Sequence, residues 1–166
     1  MLMEKSIENL KKAFAGESQA NRRYLAFAEK AEKEGYPQVA RLFRAAAESE
    51  TVHAMNHLRA LTAIRSTAEN LKEAISGETA EFREMYPAMI AAAQAEGHKE
   101  AERTFAFANE VEKVHAALFE RALDNLEAKK LVDIYICIVC GHTVEGEPPE
   151  KCPVCGAVKK LYKKID

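Results

Sequence analysis

Glu50-Thr51-Val52-His53 and Glu112-Lys113-Val114-His115 are two copies of one short pattern, Glu-x-x-His, and each follows a Gly-Glu pair. The first pair is Gly16-Glu17, with 33 residues from Glu17 to Glu50; the second is Gly77-Glu78, with 34 from Glu78 to Glu112. Between them the halves keep step: Glu34-Gly35 answers Glu96-Gly97, and Phe43 answers Phe105. Residues three apart share one face of an α-helix. Glu50 with His53, Glu78 with Glu81, and Glu112 with His115 can therefore each aim at one point, and Glu17 adds a carboxylate from the first helix. A lone Glu-x-x-His arises by chance in Glu-rich helices, and Glu81 taken alone is a solvated first-turn residue. Two copies in phase with two Gly-Glu pairs point to metal.

The flanking sequence is helical. Ile7, Leu10, Phe14, Tyr24, Phe27, Ala28 and Ala31 repeat at helical spacing up to Gly35. Pro37 opens a second run to about residue 64, with Val39, Leu42, Phe43, Ala46, Val52 and Leu58 as its apolar face. Ser66-Thr67-Ala68-Glu69 reads as a helix cap, and a short helix through Ile75 is expected to break at Ser76-Gly77. A third long helix from Glu78 to Glu96 contains Pro87, which frees the carbonyl of Arg83 and predicts a kink or local widening. A fourth runs from His98 to Lys129. Short turns at 35–37 and 97 make antiparallel pairs, and the longer 65–77 stretch makes a crossover. The expected class is mainly α, a ferritin-like four-helix bundle over residues 1–130 with a small metal domain over 131–166. One carboxylate from each of two helices plus Glu-x-x-His from the other two is the known donor pattern of di-iron bundles.

Five carboxylates cannot share a bundle interior uncompensated, because drying one carries an idealised cost on the order of 20 kcal/mol. Two multiply charged cations offset them, and a mixed oxygen and imidazole donor set suits iron or manganese. Tyr24, seven residues after Glu17, falls on the inward face; core packing is the plain reading, but its hydroxyl can reach a ligand carboxylate. His57, seven after Glu50, reads as packed beside the site, and His98 as exposed at a turn.

After Lys130, Val132 to Ile136 alternates like a strand, and all four cysteines follow as Cys137-x-x-Cys140-Gly141 and Cys152-x-x-Cys155-Gly156. Thirty-odd residues bury too little core to fold without a staple, so a tetrahedral sulfur site is expected, with zinc and iron equally compatible. The remaining composition excludes more than it assigns. A net charge of -2 gives no reason to expect nucleic acid, no apolar run spans a membrane, and no secretory leader is visible, so a cytoplasmic protein is expected.

Together the two constellations resemble the rubrerythrin family, a di-iron bundle followed by a rubredoxin-like domain. The strings that carry the likeness are Ala15 to Ser18, Glu50 to His53, Gly77 to Glu81, Glu84 to Pro87, Glu112 to His115, and the two cysteine knuckles. The resemblance implies iron ligands at Glu17, Glu50, His53, Glu78, Glu81, Glu112 and His115, with Glu50 and Glu112 bridging. It implies that one iron exchanges Glu81 for His53 on reduction, and that iron rather than zinc occupies Cys137, Cys140, Cys152 and Cys155. It further implies a peroxidase that reduces hydrogen peroxide to water. Glu81, His53 and Tyr24 are the candidate catalytic residues, and electrons come from an external donor such as a rubredoxin or an NAD(P)H-dependent reductase. His142 stands where relatives often carry an aromatic residue. Rival readings are a ferroxidase or iron-storage bundle with a structural zinc knuckle, and a non-enzymatic docking module. Because His115 to Lys130 extends about 22 Å as helix, a chain's sulfur site is expected far from its own carboxylate site. A two-fold antiparallel homodimer, with helix exchange an option, would bring them together.

Overall fold

The computed structural model describes residues 2–166, with side chains from Glu4 onward. The fold is mainly α, with the four long helical segments of the ferritin-like class and a small three-stranded C-terminal part. Two compact units divide between Arg65 and Ser66.

The first unit is a hairpin of α1 (Leu2–Lys33) and α2 (Pro37–Ala60). Gly35 takes the left-handed conformation at the turn (φ 81°), and Pro37 starts α2 with its φ preset. What the hairpin buries is alanine: Ala20, Ala28 and Ala31 on α1, and Ala40, Ala47 and Ala54 on α2. Methyl-sized side chains let the helices approach closely, and Asn21 Nδ2 then donates to Ala47 O (2.7 Å) and Thr51 Oγ1 (2.9 Å), pinning the two together. The apolar positions Ile7, Phe27, Val39, Leu42 and Val52 are not covered within this unit. All five are exposed, Leu42 by 68%, because a two-helix hairpin has one seam and the apolar stripe is wider than that seam.

The second unit opens with a capping box. Ser66 Oγ accepts from Glu69 N, and the Glu69 carboxylate accepts from Ser66 N (3.2 Å). From there α3 runs unbroken over Thr67–Ala80, through Ser76-Gly77. The predicted break is absent: glycine costs a helix about 1 kcal/mol, which packing along the last long helix outweighs. A single π-turn, Glu81–Met85, joins α3 to α4 (Tyr86–Glu96), with Tyr86 N–H bonded to Glu81 O five residues back. This is the predicted widening, placed one turn before Pro87. It also absorbs the one-residue mismatch between the halves, since the spacing is seven from Glu17 to Tyr24 and eight from Glu78 to Tyr86.

Gly97 closes α4 in the left-handed conformation (φ 70°), and α5 (Lys99–Asp124) returns antiparallel. His98, expected to be merely exposed, caps α5 by accepting from Ala101 N (3.3 Å). A short 3-10 turn, Leu126–Ala128, and Lys129 at positive φ (48°) then reverse the chain. Strands β1 (Ile134–Cys137), β2 (Thr143–Glu145) and β3 (Tyr162–Ile165) form an antiparallel sheet ordered β2-β1-β3. The tail runs back along α5: Glu145 meets Arg121 at 3.3 Å, and Thr143 meets His115 at 2.9 Å. The expected distance between the sulfur site and its own chain's carboxylate site does not hold at His115, because the chain doubles back along α5 and sets Thr143, beside the first knuckle, against that histidine. No helix among the described residues is long and apolar enough to cross a membrane.

Ser66→Ala should lower stability by about 1 kcal/mol, read as a shifted denaturant midpoint with unchanged slope.

Candidate metal centres

Four sulfurs converge first. Cys137, Cys140, Cys152 and Cys155 place their Sγ atoms within 4.8 Å of one another, and none is paired in a disulfide. Each knuckle turns on a left-handed glycine, Gly141 (φ 86°) and Gly156 (φ 75°), whose N–H bonds back to Cys137 O and Cys152 O. Further N–H groups point at sulfur: that of His142 at Cys140, and those of Val154 and Cys155 at Cys152. Burial pushes every resolved thiol upward, and Cys140 and Cys155 stay raised. At Cys152 the Tyr162 hydroxyl, these N–H groups and Cys140 overcome burial and hold the thiol down at about 6. One thiolate can thus form unaided, while Cys140 and Cys155 need a cation, which is the behaviour of a tetrahedral metal site.

The carboxylates and histidines gather as two triads. In the first unit, Glu17 from α1 meets Glu50 and His53 from α2, with His53 Nδ1 2.8 Å from Glu50 Oε2. In the second, Glu78 from α3 meets Glu112 and His115 from α5, with His115 Nδ1 2.7 Å from Glu112 Oε2 and 3.9 Å from Glu78 Oε1. Thr143 Oγ1 donates to Gly141 O (3.1 Å), so it accepts from His115 Nε2–H at 2.9 Å. That bond leaves the Nδ1 lone pair facing two carboxylates, the tautomer a metal requires. Burial, then the charge and hydrogen bond of Glu112, raise Glu78 to about 7. Two carboxyls that must share a proton in this way fit a divalent or trivalent cation in its place. The donor set accordingly fits a pair of metals, and iron satisfies its mixture of oxygen and nitrogen.

Glu81 lies outside the second triad, on the π-turn, with its carboxyl raised by burial and then by Glu112. Tyr24 stays in a ring cluster with Phe27 (6.4 Å) and Phe43 (6.1 Å). Sequence reasoning singled out Tyr24 and passed over Tyr86, whose hydroxyl is raised by burial and by Glu112, Glu81 and Glu78. The repeat carried the signal: Tyr86 stands 62 residues after Tyr24, the same offset as His115 from His53. Thr143 had no sequence signal, because it acts through a tertiary contact.

Comparison with known proteins follows the same division. The rubrerythrin family model matches residues 8–123, and the model for the rubredoxin-like domain of rubrerythrin matches residues 135–163. Rubrerythrin-2 of Clostridium acetobutylicum is 42% identical over 92% of both chains. Nigerythrin of Nitratidesulfovibrio vulgaris is 36% identical, covering 95% of this chain and 85% of its own. Solved structures of nigerythrin in partially reduced and in fully reduced, all-ferrous states each share 35% identity, cover 96% of this chain and 86% of theirs, and superpose with a TM-score of 0.61. The chain belongs to the rubrerythrin family.

A carboxyl raised from 4.5 to about 7 stabilises the fold fully below 4.5 and loses that contribution as pH rises through 7. Metal-free protein should therefore lose unfolding free energy between those pH values, and Glu78→Gln should flatten that slope in denaturant titrations.

Proposed function

We propose that this member of the rubrerythrin family is a peroxidase, reducing hydrogen peroxide to water with electrons relayed through an iron held by the four cysteines. The observation that carries this reading is the hydrogen bond from His115 Nε2 to Thr143 Oγ1, 2.9 Å long. It ties a donor of the carboxylate set to the segment following Cys140-Gly141, a connection that a storage bundle with an independent zinc knuckle has no use for. The reaction consumes one peroxide, two electrons and two protons, and yields two waters.

Glu17, Glu50, His53, Glu78, Glu112 and His115 would hold two iron ions. When bound, the iron pair supplies both electrons and Lewis acidity at the O–O bond. The chain's own work is to hold protons and donors in place. Glu81, outside the triad, has a raised proton affinity from burial and from Glu112, so it is the carboxyl placed to hold a proton and release it beside an oxygen leaving group. Tyr86, kept protonated by its carboxylate neighbours, can donate a hydrogen bond there. Glu81 is set apart from the triad on a turn whose hydrogen bonds are wider than helical, which suits a donor that joins or leaves the site as its charge changes. Tyr24, 62 residues before Tyr86, is the corresponding candidate hydroxyl of the first half.

The electron donor would be an external rubredoxin or NAD(P)H-dependent reductase, in the cytoplasm. A two-fold homodimer, with helix exchange as one form of it, gives the uncovered Leu42 and Val52 a place to bury. The geometric reason for an antiparallel pairing falls away, since each tail already lies along its own α5.

Iron-loaded protein should consume peroxide with a reductant present and show the visible absorption of a ferric tetrathiolate. Glu81→Ala should lower turnover by about a hundredfold while keeping most of the iron. Wild-type turnover in that variant would exclude the exchange role. A colourless cysteine site holding zinc, with oxygen-driven iron accumulation, would favour storage.

A further inference from the structure

His142 is the one buried polar side chain among the described residues, 8% exposed, and no step above uses its imidazole. Its main chain is already committed: the carbonyl accepts from Cys137 N (2.9 Å), and the N–H points at Cys140. The ring stands edge-on to Tyr162, interplanar angle 88°, with Nδ1 2.9 Å from the phenol oxygen. The Tyr162 hydroxyl in turn acts on Cys152 as a hydrogen-bond donor, the first influence that offsets burial of that thiol.

The direction of this chain follows from proton counting. A metal-bound sulfur is a thiolate with no proton to give, so the single phenol proton must point at Cys152. The phenol oxygen is then an acceptor, and the group 2.9 Å away must be Nδ1–H. We infer that His142 is a positioning residue for electron transfer: its Nδ1–H holds and polarises the Tyr162 hydroxyl toward the Cys152 sulfur, and so raises the reduction potential of the metal there. Adding an electron raises the negative charge on the sulfurs, and a donor aimed at one of them stabilises the reduced state more than the oxidised. This rests on iron occupying the four sulfurs, as proposed above.

Three variants and one metal swap test it. Tyr162→Phe deletes one oxygen, and His142→Phe keeps a ring in the pocket. His142→Asn keeps an N–H near the Nδ1 position. In anaerobic redox titration of the iron-loaded full chain, Tyr162→Phe and His142→Phe should each lower the ratio of reduced to oxidised site at fixed potential by roughly tenfold, or ~59 mV for one electron. His142→Asn should recover most of the shift, and His142→Phe should add nothing in the Tyr162→Phe background. An unchanged potential in His142→Phe, or a further shift in that double variant, overturns the inference, the latter because it means water exclusion acts instead. A chain that takes up only zinc ends the peroxidase reading and overturns the effect on potential, and the hydrogen-bond chain is then decided by the metal-swapped protein alone. In cadmium-113-loaded protein the Tyr162 hydroxyl proton should couple to the metal through Cys152, and should lose that coupling in His142→Phe. Coupling that survives the substitution overturns the role of His142.

Discussion

Charge that cannot be diluted by solvent governs this molecule. Glu78 and Glu112 are close enough to hydrogen-bond each other, and the first is pushed to about 7 because both cannot ionise together in a half-dry setting. The four sulfurs repeat the situation with different atoms, where Cys140 and Cys155 resist ionisation and Cys152 yields. In each place the fold has spent helix turns, strand ends and glycine knuckles on bringing like charges together. Only a cation makes that arrangement favourable.

The helices around the carboxylates show how a duplicated plan was adjusted. Both halves put a Gly-Glu pair on one helix and Glu-x-x-His on the next, but the second half carries one more residue between its glutamate and its tyrosine. An α-helix cannot take up one residue without rotating everything beyond it by about 100°. The π-turn at Glu81–Met85 takes the residue locally, so that Tyr86 still faces the carboxylates, and Glu81 gains a position with no counterpart in the first half. The asymmetry of the site thus begins as an insertion in a helix.

The tail adds the second theme, contact between centres. By reversing at Lys129 and running back along α5, the sheet sets Thr143 against His115 and Glu145 against Arg121. Thr143 then does two things. It selects the histidine tautomer that leaves Nδ1 for a metal, and it continues through Gly141 to the first sulfur knuckle. On the far side of that knuckle, His142 and Tyr162 reach the second knuckle at Cys152. Neighbouring residues of one short segment therefore address both kinds of donor.

Helix class, donor residue types and both cysteine knuckles were legible in the chain because each depends on spacing along it: three residues for a helical face, two between thiols, one proline for a widened turn. The alanine seam of the first hairpin was less so, since periodicity reports an apolar face without saying how much of it one partner can cover; hence Leu42 and Val52 lie on the apolar face and are exposed. The uninterrupted α3 was misread because a glycine's local penalty is visible in sequence and the packing that outweighs it is not. Tertiary structure alone decided the path of the tail, the Thr143 bond and the meeting of His142 with Tyr162. These join residues with no fixed spacing, and a reversal at one left-handed lysine determines where each of them lands.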